Sequence, residues 1–389
     1  MIKPLTSLRF LFALMVFCSH LQFVDGNEYP TFKDVTGEGF IGVSFFFILS
    51  GFILSLNYDD KLLDRRVTFR EFWVARIARV YPLHLVTLLL AVGLVIDWAP
   101  GWSEFFVDPA ASTVMFLSNA TLIHAFIPVN DYFFSYNSPS WSISDEMFFY
   151  FAFPFIITLF VRNKALLRYG WLLFLAVPVV MNLSHDDGYH RFMYINPFFR
   201  IVDFVVGITL HQVYKRGYLR GLYKSKLGAT LMELLAFGVF GVAVYFRGEV
   251  AMGYRYSAYY WLPMVLIIFS FAHQNGYLSA VFSTRIWVWL GEISFSFYLI
   301  HQLIIRYLLT LNDRHALGAS NWVLGITMFV LSLGLSYLLH RFVELPGNRY
   351  IKARYKQSRF APGAPLSVPA VAAVPVVAAV PVAEAIPVP

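Results

Sequence analysis

The segment LRFLFALMVFCSHLQF, residues 8–23, carries Arg9 and His20 inside a strongly apolar run. Eleven residues of an α-helix advance by about 1100°, within about 20° of three full turns, and by about 16 Å along the axis, so the two side chains share one face. If the segment crosses a membrane, Arg9 lies at one interface and His20 lies well inside, where ionisable groups are costly and typically functional. The alternative is that Arg9 anchors the helix and His20 bonds to a neighbouring helix.

The composition of the whole chain extends this pattern. Of its 389 residues, 58% are hydrophobic, 19% aromatic and 14% charged, and the mean hydropathy is +0.62. This excludes an ordinary soluble domain and predicts an all-α fold, a polytopic bundle of transmembrane helices. Residues 1–21 lack a small-residue cleavage site, so we expect no cleaved signal peptide. The single cysteine, Cys18, excludes an internal disulfide.

We predict ten membrane crossings, at residues 8–24, 38–57, 79–98, 140–161, 169–183, 196–214, 228–246, 254–271, 287–311 and 320–340. The net charge of +7 alone would fit nucleic acid or anionic lipid as a partner, but its distribution is that of loops on one side of a membrane. Basic residues concentrate at Lys61, Arg65, Arg66, Arg70, Arg76 and Arg79, at Arg162, Lys164 and Arg168, at Lys215, Arg216, Arg220, Lys224 and Lys226, and from Arg341 to Arg359. The positive-inside rule then places both termini in the cytoplasm and predicts no nucleic-acid partner.

Three further segments complete the predicted organisation. The apolar stretch 111–128 cannot cross without inverting everything after it, so we predict a re-entrant or outer-face segment. Residues 61–79 interleave arginines with apolar side chains, which predicts an amphipathic helix on the cytoplasmic surface. Residues 1–350 form the predicted transmembrane domain. Residues 351–389 form a cytoplasmic tail, first basic and then rich in Pro, Ala and Val, which we expect to be disordered because its prolines prevent a spanning helix.

Arginine pairs and small residues offer candidates for binding. Arg76 and Arg79, three residues apart, are neighbours on one helix face and could grip phosphate oxygens. Their spacing alone favours topological anchoring, but the predicted topology places Arg9 at the same cytoplasmic rim, and three arginines there suit a polyanionic ligand. Gly39, Gly42, Ser50 and Gly51 allow close helix packing, and a narrow tunnel for a slim substrate arm would need the same residues.

Acidic and imidazole side chains offer candidates for catalysis. Asp145 and Glu146 are adjacent at the outer end of the fourth crossing, where acidic residues either take part in acid–base chemistry or favour the helix dipole. Because neighbours on a helix diverge by about 100°, at most one of them faces a site well. His301 is a second buried histidine, which could shuttle protons or only bond across helices.

Six motifs in order give the chain a resemblance to the membrane acyltransferase-3 family, over about residues 1–350. They are Arg9 with His20, FILSGF (47–52), RIARVYP (76–82), SWSISDE (140–146), ISFSFYLIH (293–301) and VELP (343–346). The resemblance implies transfer of an acyl group, usually acetyl, from cytoplasmic acyl-CoA to a hydroxyl of an extracytoplasmic or lipid-linked carbohydrate acceptor.

The resemblance also implies roles for single residues. His20 looks like the catalytic histidine, and Arg9, Arg76 and Arg79 look like acyl-CoA-binding residues. Glu146 rather than Asp145 matches the family's second glutamate, because SDE stands where many relatives have SVEE. Asp145, His301 and Glu344 are candidate supporting residues. No segment resembles the SGNH-type domain of the fused members, so the chain resembles the stand-alone form.

The resulting hypothesis is an O-acyltransferase of a bacterial inner membrane that uses acyl-CoA, and acetyl-CoA first of all, without a metal. Acyl-CoA docks its phosphates on the arginines, and His20 takes the proton of the acceptor hydroxyl. An acyl-histidine intermediate stays open, as do the acceptor and the oligomeric state. The alternative class is a transporter or flippase, whose buried histidines and carboxylates relay protons. Its hallmark is repeated halves with broken helices, and the sequence shows no convincing repeat.

The predicted topology can be tested with single cysteines in a Cys18→Ser background. Cysteines at Lys33 and Asn130 should react with a membrane-impermeant reagent on intact cells, because both lie in predicted outer loops. Cysteines at Lys164 and Lys224 should react only after the membrane is opened. Protection of position 130 while position 33 reacts would mean that residues 111–128 cross the membrane.

Overall fold

The structure is a computed structural model that describes residues 2–21, 36–97, 108–163, 190–315 and 320–359. All regular secondary structure in these residues is helical. The helices are α1 (Lys3–Ser19), α2 (Gly42–Leu63), α3 (Phe69–Asp97), α4 (Pro109–Ala120), α5 (Asn130–Phe133), α6 (Trp141–Arg162), α7 (Pro197–Lys215), α8 (Lys226–Tyr245), α9 (Met252–Arg255), α10 (Trp261–Ala272), α11 (Tyr277–Phe282), α12 (Arg285–His315), α13 (Asn321–Leu339) and α14 (Leu345–Arg359). Two π-helical stretches, His190–Ile195 and His340–Glu344, precede α7 and α14.

The predicted all-α membrane bundle is confirmed. Within the described residues, six helical segments are long and apolar enough to cross a membrane, namely Gly37–Leu63, Phe69–Leu94, Ser138–Leu159, Lys226–Glu249, Arg285–Asp313 and Asn321–Ser358. Three more predicted crossings coincide with α1, α7 and α10, of which α1 has 17 residues and α10 has 12. The crossing predicted at 169–183 lies outside the described residues, so the number of ten stays a prediction.

The start of α3 corrects the sequence analysis. The amphipathic surface helix predicted at 61–79 does not exist as a separate element, because α2 runs to Leu63 and α3 starts at Phe69. A capping box sets that start. The backbone N–H of Thr68 donates to Glu71 Oε2 at 2.8 Å, and the backbone N–H of Glu71 donates to Thr68 Oγ1 at 3.2 Å. This exchange satisfies two amides at the first turn.

The arginines therefore lie deeper along their helices than the sequence analysis placed them. Arg79 is the eleventh residue of α3, about 15 Å from the start of that helix. Arg9 lies about 9 Å into α1, because α1 begins at Lys3 with Pro4 in its first turn and not at residue 8. Neither residue lies at the end of its helix.

Segment 111–128 and the start of the predicted tail are both helical in part. The first overlaps α4, which is not among the helices long enough to cross a membrane and is followed by the 3₁₀ turn His124–Phe126. Because α10 is equally short, helix length alone does not decide whether residues 111–128 cross, and the re-entrant or outer-face segment stays a prediction. Residues 351–359 of the predicted tail form the second half of α14, which packs along α3. Residues 360–389 lie outside the described part of the chain.

Glycines set the close packing of α2 against its neighbours. A Cβ at Gly51 would lie 2.0 Å from the carbonyl oxygen of Phe204 in α7, and one at Gly207 would lie 1.9 Å from that of Ile48. Gly39, just before α2, meets Met15 of α1 in the same way. These glycines let backbones touch, so packing accounts for Gly51.

A Gly51→Ala substitution should lower the thermal stability of the purified protein in detergent. The added methyl must push α2 and α7 apart, and overpacking of this kind costs about 1–3 kcal/mol. Gly238→Ala is the matched control, because the Cβ position of this α8 glycine has no neighbour within 4 Å. Equal unfolding temperatures for the two variants would contradict the packing role.

Candidate active site

A cavity of about 170 Å³ lies where five helices meet. Arg9 enters it from α1, Ser50 from α2, Arg76 and Arg79 from α3, and Glu146 from α6. Its fifth wall is α12, through Ser294, Phe295 and Tyr298. The structure thus brings together the three predicted donor-binding arginines and one of the two predicted catalytic residues.

Glu146 is held at the cavity wall by two hydroxyl groups. Ser50 Oγ donates to Glu146 Oε1 at 3.1 Å, and the hydroxyl of Tyr150, one helical turn along α6, donates to the same oxygen. The charge of Glu146 interacts with those of Arg9 and Arg79. This carboxylate therefore lies in the cavity that the three arginines line, and its catalytic role stays a prediction.

The two arginines of α3 have different partners. Arg79 forms an ion pair with Glu344, whose side chain is 1% exposed and also accepts a hydrogen bond from Ser296 Oγ at 2.8 Å. Glu344 reaches Arg79 from the end of the π-helical stretch after α13. Arg76 donates to the Tyr58 hydroxyl at 3.3 Å and stacks near the ring of Tyr150, 5.8 Å away. Arg76 thus keeps donors for a ligand, whereas Arg79 is already charge-paired.

A second cavity, of about 650 Å³, adjoins the first. Arg9, Leu49, Ile53 and Arg79 line both. Its remaining lining includes Asn57 near the end of α2. It also includes residues near the ends of other helices, namely Ile2, Thr6, Glu292, His340 and Leu345. The predicted topology places these helix ends at the cytoplasm. The two cavities form a path that narrows from this end toward Glu146.

His20 and His301 form a pair that does not line either cavity. His20 follows the last residue of α1, and its Nδ1 lies 3.0 Å from Nε2 of His301, which is fully buried in α12. The Nδ1 atom of His301 lies 2.6 Å from the carbonyl oxygen of Tyr298. The rings of the two histidines are stacked, with centroids 5.1 Å apart. The sequence predicted both residues but not their direct contact.

Tyr298 connects the histidine pair with the inner cavity. Its side chain lines the cavity and shares a hydrogen bond of 2.7 Å with Ser142 Oγ, while its carbonyl holds His301. Its ring also packs against Phe46, 5.9 Å away between centroids. The two sites are thus one helical turn apart along α12, on either side of this tyrosine.

Asp145 turns away from the cavity, as the divergence of adjacent helical residues predicts. It is 0% exposed, and neither carboxylate oxygen has a hydrogen-bond partner among the described residues. Its charge interacts with Arg200 and Asp203 of α7. Arg200, which the sequence analysis missed, is also fully buried and bonds to Asp203 at 2.9 Å and to Ser44 Oγ at 2.8 Å. The overlooked signal was a charged pair three residues apart inside a predicted crossing.

The sequence matches the acyltransferase-3 family, described as an acyltransferase domain, over residues 4–341. The chain belongs to this family. Acyltransferase MdmB of Streptomyces mycarofaciens is 30% identical over 388 residues, which cover 91% of this chain and 93% of that protein. No solved structure matches the chain.

A second relative of this acyltransferase is longer. The "Putative peptidoglycan O-acetyltransferase YrhL" of Bacillus subtilis is 27% identical over 361 residues, which cover 89% of this chain and 54% of that protein. The chain therefore spans about half the length of this relative. Family membership and these relatives support transfer of an acyl group to a hydroxyl. Within the described residues, no group of three or more His, Cys, Asp and Glu side chains is placed to hold a metal ion.

Proposed function

We propose that the protein transfers an acyl group, acetyl in the first instance, from cytoplasmic acyl-CoA to a hydroxyl of a carbohydrate acceptor on the other side of the membrane. The observation that carries the proposal is the placement of Arg9, Arg76 and Arg79 on one narrowing path, with the histidine pair one helical turn beyond it. A membrane acyltransferase needs such a path because the donor and the acceptor approach from opposite sides. Family membership favours this enzyme over the transporter alternative.

The contacts of His301 determine which nitrogen of His20 can act as a base. A backbone carbonyl only accepts hydrogen bonds, so Nδ1 of His301 carries a proton toward Tyr298. In a neutral ring, Nε2 of His301 is then the acceptor, and Nδ1 of His20 donates to it. This leaves the lone pair of His20 on Nε2, away from His301. His301 is thus a positioning residue that fixes the tautomer of His20.

This arrangement supports direct transfer by general base catalysis. Nε2 of His20 takes the proton of the acceptor hydroxyl as that oxygen attacks the thioester carbonyl carbon. The carbon–sulfur bond breaks, an ester forms, and the imidazolium returns its proton to the departing thiolate of CoA. The step therefore needs only the donor, the acceptor and His20.

Different parts of the acyl-CoA donor would bind in the two cavities. The outer cavity of about 650 Å³ falls within the range of roughly 300–1,000 Å³ that is usual for small-molecule sites and suits the nucleotide end. The inner cavity of about 170 Å³ suits only a slim arm. Phosphates would lie against Arg9 and the α3 arginines, and the extended arm would pass Ser50 toward Tyr298. Glu146 fixes Ser50 and Tyr150 at the narrow end and balances part of the arginine charge.

The relatives and the charge pattern support the type of acceptor and the membrane location. The Bacillus relative is named a peptidoglycan O-acetyltransferase, which favours a carbohydrate hydroxyl as the acceptor for this chain as well. Multi-pass insertion in a bacterial plasma membrane with both termini inside follows from the distribution of basic loops. In that orientation the path opens to the cytoplasm, where acyl-CoA is made.

His20→Ala should lower acyl transfer by about 10²- to 10⁴-fold, the usual contribution of a general base. The measurement is mass spectrometry of the acyl content of surface carbohydrates and glycolipids from cells with the wild type, the variant or neither. His301→Gln should retain more activity than His301→Leu, because only the amide oxygen can accept the proton of His20 Nδ1.

Protein levels and insertion must match among these strains, which immunoblotting of membranes controls. Wild-type acylation by a well-inserted His20→Ala variant would overturn the mechanism. Equal activities of the Gln and Leu variants at position 301 would remove the positioning role but leave the general base in place.

Arg76→Lys should weaken CoA binding to the purified protein by about tenfold, because lysine keeps the charge but loses the planar pair of donors that fits phosphate. Isothermal titration with CoA in neutral detergent measures this. Arg70→Lys is the matched control, since Arg70 lies on the same helix outside both cavities. Unchanged affinity in Arg76→Lys and in Arg79→Lys would mean that these arginines are structural.

A further inference from the structure

A third cavity lies apart from the candidate active site and carries a charge of its own. It has a volume of about 520 Å³ and lies between the end of α7, the loop 216–225 and the residues that follow α10. Its charged lining is Lys215, Arg220 and Lys224, and its ring-bearing lining is Tyr214, Tyr223 and His273. None of these residues lines the two cavities of the candidate active site.

The loop that carries the cations is fixed by contacts with the segment after α10. Gly217 and Leu219 both have positive φ angles, 73° and 61°, which turn the chain sharply after α7. Asn275 Nδ2 donates to the carbonyl of Tyr223 at 2.9 Å and to that of Lys224 at 3.1 Å. The ring of Tyr223 stacks on His273 with centroids 3.9 Å apart. The cavity is therefore built by the fold and is not a gap beside a loose loop.

The charges of the cavity are only partly compensated. Lys215 pairs with Asp60 at 2.5 Å. Within the described part of the chain, no carboxylate forms an ion pair with Arg220 or Lys224. Burial lowers the pKa of His273, and the positive charge of Arg220 lowers it further. Arg220 and Lys224, two cations without a carboxylate partner beside a neutral imidazole, suit a phosphate-bearing anion.

Exposed apolar side chains on the same segment identify the source of that anion. Tyr218, Leu219, Leu222 and Leu227 are 55%, 62%, 49% and 66% exposed, and they alternate with the basic residues. A soluble nucleotide would gain nothing from such a rim, whereas a lipid gains burial for its acyl chains. The predicted topology places this loop at the cytoplasmic leaflet, whose anionic lipids attract basic segments.

We infer that this cavity binds the phosphate headgroup of an anionic phospholipid, with Arg220 and Lys224 on the phosphate and the acyl chains along Leu219 and Leu222. The inference does not depend on the proposed acyl transfer, because it uses different residues and a different cavity. It gives this end of the bundle a fixed lipid contact next to α7, the helix that packs most closely on α2.

The test compares lipid retention by two double variants. The protein is reconstituted in nanodiscs of phosphatidylcholine with a minor share of phosphatidylglycerol, and the bound lipid is identified by native mass spectrometry after transfer to neutral detergent. Arg220→Gln with Lys224→Gln should lower the retained phosphatidylglycerol by roughly tenfold, since each basic side chain contributes to headgroup attraction. Arg216→Gln with Lys226→Gln removes the same charge from that loop and from the first residue of α8, both outside the cavity, and should retain the lipid.

Two outcomes would overturn the inference. Equal retention in both double variants would mean that the cavity does not select the lipid. The second outcome combines two measurements on the cavity variant. If it retains phosphatidylglycerol in the mixed discs but binds CoA more weakly than the wild type in pure phosphatidylcholine, the site belongs to a soluble phosphate ligand. If the double variant does not fold, the single exposed substitution Lys224→Gln carries the same comparison against Lys226→Gln.

Discussion

Charge pairing between distant segments inside an apolar bundle is the constraint on which this structure depends. A buried guanidinium without a partner is costly in a low-dielectric interior, and removal of one member of a buried pair typically costs about 3–5 kcal/mol. Arg79 is paired with Glu344, which lies more than 260 positions away in sequence. Glu38 is paired with Arg255 and accepts a hydrogen bond from Tyr260 at 2.7 Å. Each pair fixes the position of one helix relative to another.

The pairing of Arg79 also shapes the chemistry of the inner cavity. Because Glu344 already balances Arg79, the arginines of this cavity without an ion-pair partner among the described residues are Arg9 and Arg76. Glu146 offsets part of that charge at the narrow end, where Ser50 and Tyr150 hold it. The arginines and the carboxylate of Glu146 thus lie on the walls of one cavity.

Close backbone contact fixes how helices of the same bundle are rotated relative to one another. Gly51 and Gly207 bring α2 and α7 into direct contact, so the face of α2 with Ser50 is fixed toward the inner cavity. The histidine pair gains its geometry differently, from the carbonyl of Tyr298 one turn before His301. The inner cavity and the histidine pair are thus neighbours that share one residue of α12, Tyr298.

The sequence by itself determined the fold class. It also singled out Arg9, Arg76, Arg79 and Glu146, and predicted that Asp145 and Glu146 point in different directions. These follow from local rules, since hydropathy and helical periodicity act over a few turns of one segment. It misplaced the start of α3, although the capping box at Thr68 and Glu71 was readable.

Only the tertiary structure decided which segments meet. It placed Glu146 in one cavity with the arginines, set His301 against His20, and closed the buried network of Arg200. The physical reason is that these contacts depend on the rotation and depth of one helix relative to another, which are set by the packing of whole faces and by the pairing of buried charges. No local pattern in the sequence contains that information.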